Sequence, residues 1–138
     1  MSAEPYDYFD HDADIGIVGH GDTLEHAFEA AARAMFAIMI DIAPLRPETM
    51  VQFGFEEEDH ELALITWLNL LLAHAREQQT VFSQFALRHE GAHWYGEARG
   101  QHWSRDMERG VEVKGATLTM LSVKETPEGW EARCVVDV

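Results

Sequence analysis

Only one cysteine, Cys134, occurs in 138 residues. A lone thiol excludes an internal disulfide framework and fits a reducing compartment. Cationic side chains are also scarce: ten Lys and Arg stand against 25 Asp and Glu, a formal charge of −15. A surface that negative repels phosphate backbones. It argues against direct nucleic-acid binding and for a partner that is a cation or a basic protein surface. No apolar run approaches the roughly 20 residues of a membrane span, and the acidic start lacks an apolar core of signal-peptide length. No segment is of low complexity. The expectation is a soluble, cytoplasmic protein with no membrane association, folded as one domain over residues 1–138. A chain of this length buries about 70% of the surface its unfolded form exposes.

The sequence is richest in chemistry at Asp10-His11-Asp12-Ala13-Asp14-Ile15-Gly16, with three carboxylates and an imidazole in five residues. Two readings fit this stretch: a solvated turn with Asx hydrogen bonds, and a site for a hard cation. It is not an EF-hand loop, because the required glycine and glutamate positions hold Ile15 and Gly21. Helical metal phosphohydrolases use a His-Asp pair like His11-Asp12, but draw further ligands from several helices.

Periodicity gives the elements. Residues 5–9 and 14–18 read as short strands around the acidic stretch. Asp22 and Glu25 have the spacing of a capping box, opening an amphipathic helix over about 23–40 in which Leu24, Ala27, Phe28, Ala31 and Met35 recur at helical spacing. A strand near 49–55 is followed by Glu56-Glu57-Glu58-Asp59, in which Asp59 caps a second helix over about 60–78. That helix is expected to bury Leu62, Ile65, Leu68 and Leu72, with Trp67, Asn69 and His74 half-buried. Strands 81–87 and 93–99 form a hairpin closing at Glu90-Gly91, and a polar loop spans about 100–110. Strands 111–124 and 129–137 join through Thr126-Pro127-Glu128-Gly129. In the last strand Trp130, Ala132, Cys134 and Val136 share the core face, which makes Cys134 a buried, inert thiol. Glu131, Arg133, Val135 and Asp137 take the other face, so Asp137 points away from the core. Two helices and several antiparallel strands make an α+β domain.

His89-Glu90-Gly91-Ala92-His93 matches the H-E-x-x-H pattern of zinc proteases. That chemistry needs both histidines on one helical face, whereas here they sit on different arms of a strand turn. A stand-alone metal-dependent hydrolase is therefore the weaker reading.

His11-Asp12-Ala13-Asp14-Ile15-Gly16 resembles the His-x-Ala-Asp-(Ile/Val)-Gly signature of the archease family. Thr23–Phe28, Trp67–Leu71, Val81–Phe85, Glu112–Thr117 and the final Val136-Asp137-Val138 resemble further family segments in the family's order. The resemblance implies a compact two-layer α+β sandwich, with two main helices packed on a largely antiparallel sheet. It also implies a non-catalytic accessory protein of an RtcB-type RNA ligase, promoting guanylylation and repeated turnover in tRNA splicing and RNA repair. By the same resemblance a divalent metal, calcium before magnesium or manganese, is held by Asp14, Asp137 and an oxygen of Val138. His11, Asp12 and Lys114 are further candidates for metal or partner contact. The chain departs from the family at Asp106 and Met107, where Arg-His is usual nearby, and at Leu118 and Thr119, where Tyr and His are usual. A rival reading is a general chaperone or adaptor acting through the acidic surface.

Overall fold

The computed structural model describes residues 5–138; residues 1–4, which open the acidic N-terminal stretch, lie outside them. The elements are β1 (Tyr6–His11), β2 (Asp14–Gly21), α1 (Leu24–Met39), β3 (Thr49–Glu56), α2 (His60–Gln78), β4 (Thr80–Glu90), β5 (His93–His102), β6 (Gly115–Ala116), β7 (Ser122–Thr126) and β8 (Gly129–Asp137). All strand pairs are antiparallel, and they divide into two sheets rather than one. The first runs β1-β2-β8-β6 with β7 also on β8, and the second runs β3-β5-β4.

Both helices touch both sheets, and this explains their composition. α1 packs on β1, β2 and β8 and also on β4. It is buried on several sides, and Ala30, Ala31, Ala32 and Ala34 provide the small surfaces that let sheet and helix approach. α2 reaches β3, β4 and β5 on one side and β6 and β7 on the other. Its apolar arc is therefore wider than one face: Ala63, Leu64 and Leu71 are buried beside Leu68 and Leu72. Trp67 is fully buried rather than half-buried, and its indole N–H donates to the Phe28 carbonyl of α1 at 3.0 Å. Leu62, expected in the core, is exposed, and Ile65 is half-buried, while Ala63 and Leu64 beside them are buried.

Three local expectations change. The cap of α1 is Thr23, not Asp22: Thr23 Oγ1 accepts the His26 N–H at 3.1 Å, while the Asp22 carboxylate is taken by the His26 imidazole. The predicted strand 111–124 is broken. Of this stretch only β6 and β7 pair with β8 as strands, and between them residues 117–121 leave the ladder, with Met120 in the left-handed region at φ 55°. Val135, expected on the open face of β8, is buried. That excursion lies along it: the Val135 N–H donates to Thr119 O, and the Thr117 N–H and hydroxyl both donate to Val135 O. Asp59 caps α2 as expected, and Cys134 is buried, its thiol pushed up to about 12 by desolvation.

Glu29 is a half-buried carboxylate whose environment disfavours its charge. Burial on α1 raises its pKa, opposed by the Leu87 N–H it accepts at 2.8 Å and then by His26 and Arg33. A folded-state pKa above the unfolded value contributes stability that is complete below the unfolded value and is lost as pH rises through the folded one. Glu29→Gln keeps an acceptor for Leu87 without the charge. Its Tm relative to wild type should therefore rise from pH 4 to pH 7. Thermal unfolding across that range checks this, and a difference that stays flat contradicts it.

Candidate functional site

The hairpin β1–β2 closes on Asp12-Ala13, with Asp12 at φ 53°. Aspartate tolerates this left-handed conformation better than most residues, so Asp12 has a structural reason to be here. Its carboxylate is almost wholly exposed and stands 3.9 Å from His11 Nδ1. His11 in turn lies opposite Asp14 across the hairpin. The signature glycine lets the ring of Phe9, its cross-strand partner, lie across it: a Cβ on Gly16 would fall 2.2 Å from that ring and turn it aside.

β2 continues against β8, with Ile15 opposite Val136. One more step in that register brings Asp14 beside Asp137, side chains on the same face. The juncture is closed by two backbone donors. The Val138 N–H donates to Asp14 Oδ1 at 3.2 Å, and the Lys114 N–H donates to the Asp137 carbonyl at 2.7 Å. Asp14 and Val138 are half-buried, and Asp137 and Lys114 are exposed. Thus Asp14, Asp137, Val138 and the backbone of Lys114 meet at one end of the sheet. His11 is one strand further out, and Asp12 sits at the hairpin tip.

Two residues of α2 build the back of this site: Asn69, expected only as a half-buried helix member, and Arg76. Asn69 clamps Ala116 in both directions, its Oδ1 accepting the Ala116 N–H at 2.9 Å and its Nδ2 donating to Ala116 O at 3.2 Å. Arg76 Nη2 donates to Val113 O at 2.8 Å and to Lys114 O at 2.7 Å. The signal for Asn69 was an amide inside the apolar run Trp67-Leu68-Asn69-Leu70-Leu71. Arg76 had none, since cations at helix C-termini are ordinary.

The donors gathered here are hard oxygens. With Oδ1 of Asp14 accepting an N–H, its second oxygen, the Asp137 carboxylate and a Val138 oxygen can face a calcium- or magnesium-class cation. Among the described residues no group of three or more His, Cys, Asp or Glu side chains is placed to hold a metal. Two carboxylates and one main-chain oxygen fit a hard cation only as part of its shell, which water or another molecule must complete.

The H-E-x-x-H stretch is split by the β4–β5 turn, as expected. His89 stacks on Trp94 with ring centroids 4.2 Å apart and meets Glu25 at 3.2 Å, whereas His93 meets Glu56 at 3.1 Å. Cross-strand pairing of His89 with Trp94 and of Glu90 with His93 puts the two imidazoles on opposite faces. Of the departures from the family pattern, Leu118 is exposed and the Thr119 carbonyl is the partner of Val135. The Asp106 carboxylate accepts the Ser104 hydroxyl, which lowers its pKa, and Met107 packs against the core.

Helices between antiparallel sheets, with aspartates from two neighbouring strands meeting at their ends, define a class of small α+β proteins. The chain belongs to the archease family, whose model matches residues 6–138. It is 32% identical to protein archease of Methanosarcina barkeri, covering 96% of this chain and 95% of that one. It is 33% identical to protein archease of Pyrococcus furiosus, covering 96% and 98%. The solution structure of protein 1598 of Methanobacterium thermoautotrophicum superposes with a TM-score of 0.84 at 28% identity, over 99% of this chain and 100% of that one. A crystal structure from Thermotoga maritima, described as an archease and possible chaperone, shares the fold with a TM-score of 0.66 at 19% identity, over 94% of each chain. Among the described residues no helix is long and apolar enough to cross a membrane.

Proposed function

We propose that this protein is a non-catalytic activator of an RtcB-type RNA ligase, acting through a divalent cation held by Asp14, Asp137 and an oxygen of Val138. The observation that carries the reading is the closure of Asp14 on Val138 beside Asp137, which gathers hard oxygen donors at an exposed end of the sheet. Family membership and the resemblance of the signature residues support the ligase as partner. A net charge of −15 supports docking on a basic, RNA-binding surface. The incomplete donor set supports a cation shared with the partner rather than one enclosed here. Bound, the cation supplies positive charge and vacant coordination positions at the docking face. Asp14 and Asp137 bind and orient it, and the Val138 N–H and the Lys114 N–H fix the two strands that carry them. In this reading His11, Asp12 and Lys114 add contacts to the metal or the partner.

The test has two readouts. Calcium, magnesium and manganese should each be titrated against thermal unfolding of the wild type and of Asp14→Asn and Asp137→Asn. At 100 times its Kd a ligand that binds only the folded state stabilises it by about 2.7 kcal/mol. The variants, which keep an acceptor but lose the charge, should lose that shift while staying folded. They should also lose acceleration of guanylylation and of multiple-turnover ligation by the cognate ligase. Full activation by either variant overturns the metal assignment. If charge reversal of surface glutamates removes activation while Asp14→Asn does not, the chaperone or adaptor reading takes its place.

A further inference from the structure

The carboxylates outnumber the cations, yet one groove of about 840 Å³ is lined by three arginines and no acidic residue. Arg76 comes from the last turn of α2, and Arg105 and Arg109 from the loop after β5, with Trp103, Met107 and Ala75 also in the wall. Among the described residues Arg105 and Arg109 are in no ion pair, although Glu108 and Asp106 are sequence neighbours. Instead the Arg109 guanidinium lies over the Trp103 ring, 4.0 Å from its centroid.

The loop is held in place rather than loose. The Trp103 N–H donates to Gln79 O at 3.0 Å, the Gly110 N–H to Met39 O at 2.7 Å, and the Val111 N–H to Ile38 O at 3.1 Å. The last two contacts dock the loop on the end of α1, where a Cβ on Gly110 would fall 2.4 Å from Ile38 O. The groove shares Ala75, Arg76, Trp103 and Arg109 with a second, mainly apolar cavity of about 300 Å³, whose lining includes Phe36 and Leu72 and one acidic residue, Glu112. Positive charge, a stacked guanidinium–indole pair and an adjoining apolar recess therefore meet at one place.

Arginine forks match phosphate oxygens, and guanidinium–indole stacks present flat surfaces to aromatic rings. We propose that this groove binds a nucleoside phosphate, with Arg105 and Arg109 on the phosphate oxygens and the base against Trp103 and the apolar recess. Arg76, already bonded to Val113 O and Lys114 O, adds charge to the wall without leaving its place. The site uses residues other than Asp14 and Asp137 and does not rest on the ligase reading.

The experiment titrates ATP, GTP, adenosine and tripolyphosphate separately into the full chain by calorimetry, in EDTA and low salt, with Trp103 fluorescence followed in parallel. Saturable binding of a nucleotide is expected, tighter than that of tripolyphosphate or adenosine. The double variant Arg105→Gln/Arg109→Gln should weaken it about tenfold or more, the loss of charge-assisted hydrogen bonds, at unchanged Tm. Trp103→Leu should weaken nucleotide binding and leave tripolyphosphate unaffected. Asp14→Asn should bind as wild type does, so failure here leaves the chain-end site untouched. No saturable nucleotide binding, nucleotide binding indifferent to the arginine changes, or tripolyphosphate binding as tightly as the nucleotides each overturns the proposal. Loss of Tm in the double variant without any binding in the wild type would assign the arginines to the C-terminal ends of the two helices instead.

Discussion

Gly19→Ala should cost the protein about 3 kcal/mol or more, the upper end of overpacking penalties. The added Cβ would fall 2.3 Å from the carbonyl oxygen of Ala27 and 2.4 Å from the amide nitrogen of Ala31. Both are backbone atoms of α1, so no side chain can rotate away, and the helix must lift off β2. A chain of this length is stable by only about 7–20 kcal/mol at 0.05–0.15 kcal/mol per residue. Thermal unfolding should show a loss of Tm of at least about 6 °C, at 2–4 °C per kcal/mol. Gly115→Ala is the matched control, since its Cβ would meet nothing closer than Asn69 Oδ1 at 3.5 Å. Equal stability of the two variants would mean that α1 does not sit on β2 as described.

The second large effect is expected at Trp67. This indole is fully buried, donates to Phe28 O, stacks on Phe53 with centroids 5.7 Å apart and meets Phe85 edge-on at 6.4 Å. Trp67→Ala should destabilise by about 3–5 kcal/mol, whereas Trp67→Phe keeps most of the packing and should lose much less. The cavity left is apolar, so added indole should restore part of the lost Tm. Because α2 also carries Asn69 and Arg76, the amides of Lys114 and Ala116 should exchange faster in Trp67→Ala than in Trp67→Phe. Protection of those amides that is unchanged in Trp67→Ala would show that the segment beside Asp137 is held independently of α2.

What could be read from the residues is what local chemistry dictates. The β4–β5 hairpin, the Asp59 cap and the outward aim of Asp137 follow from alternation, capping and the strand period of two. The stretch from Val111 to Val123 shows where this stops. Its apolar residues fall at 111 and 113, then at 116, 118 and 120, and it pairs with β8 as strand only at 115–116 and from 122 on, because a distant strand decides which of its residues have a partner. The division into two sheets was hidden for the same reason: periodicity shows that a strand has a buried face, not which neighbour buries it. At the site, the sequence motif singled out Asp14, and the strand period oriented Asp137. Their approach came only from the family resemblance, since 122 residues separate them in the chain. The clamps from Asn69 and Arg76 depend on α2 crossing behind β6, which no local pattern encodes.

The place of β8 has a consequence for how the protein is made. β2, β6 and β7 all hydrogen-bond to β8, yet β8 follows every one of them in the chain. While the nascent chain emerges from the ribosome, β2 and α1 exist for seconds with an open edge and an uncovered apolar face, at synthesis rates of about 5–20 residues per second. Exposed edges of that kind invite pairing with other chains. The surplus of negative charge, spread over the whole sequence, keeps such unfinished chains apart during that interval. Translation that halts before Trp130 would leave a product with neither its central strand nor Asp137, one that chaperones and proteases would meet as unfolded.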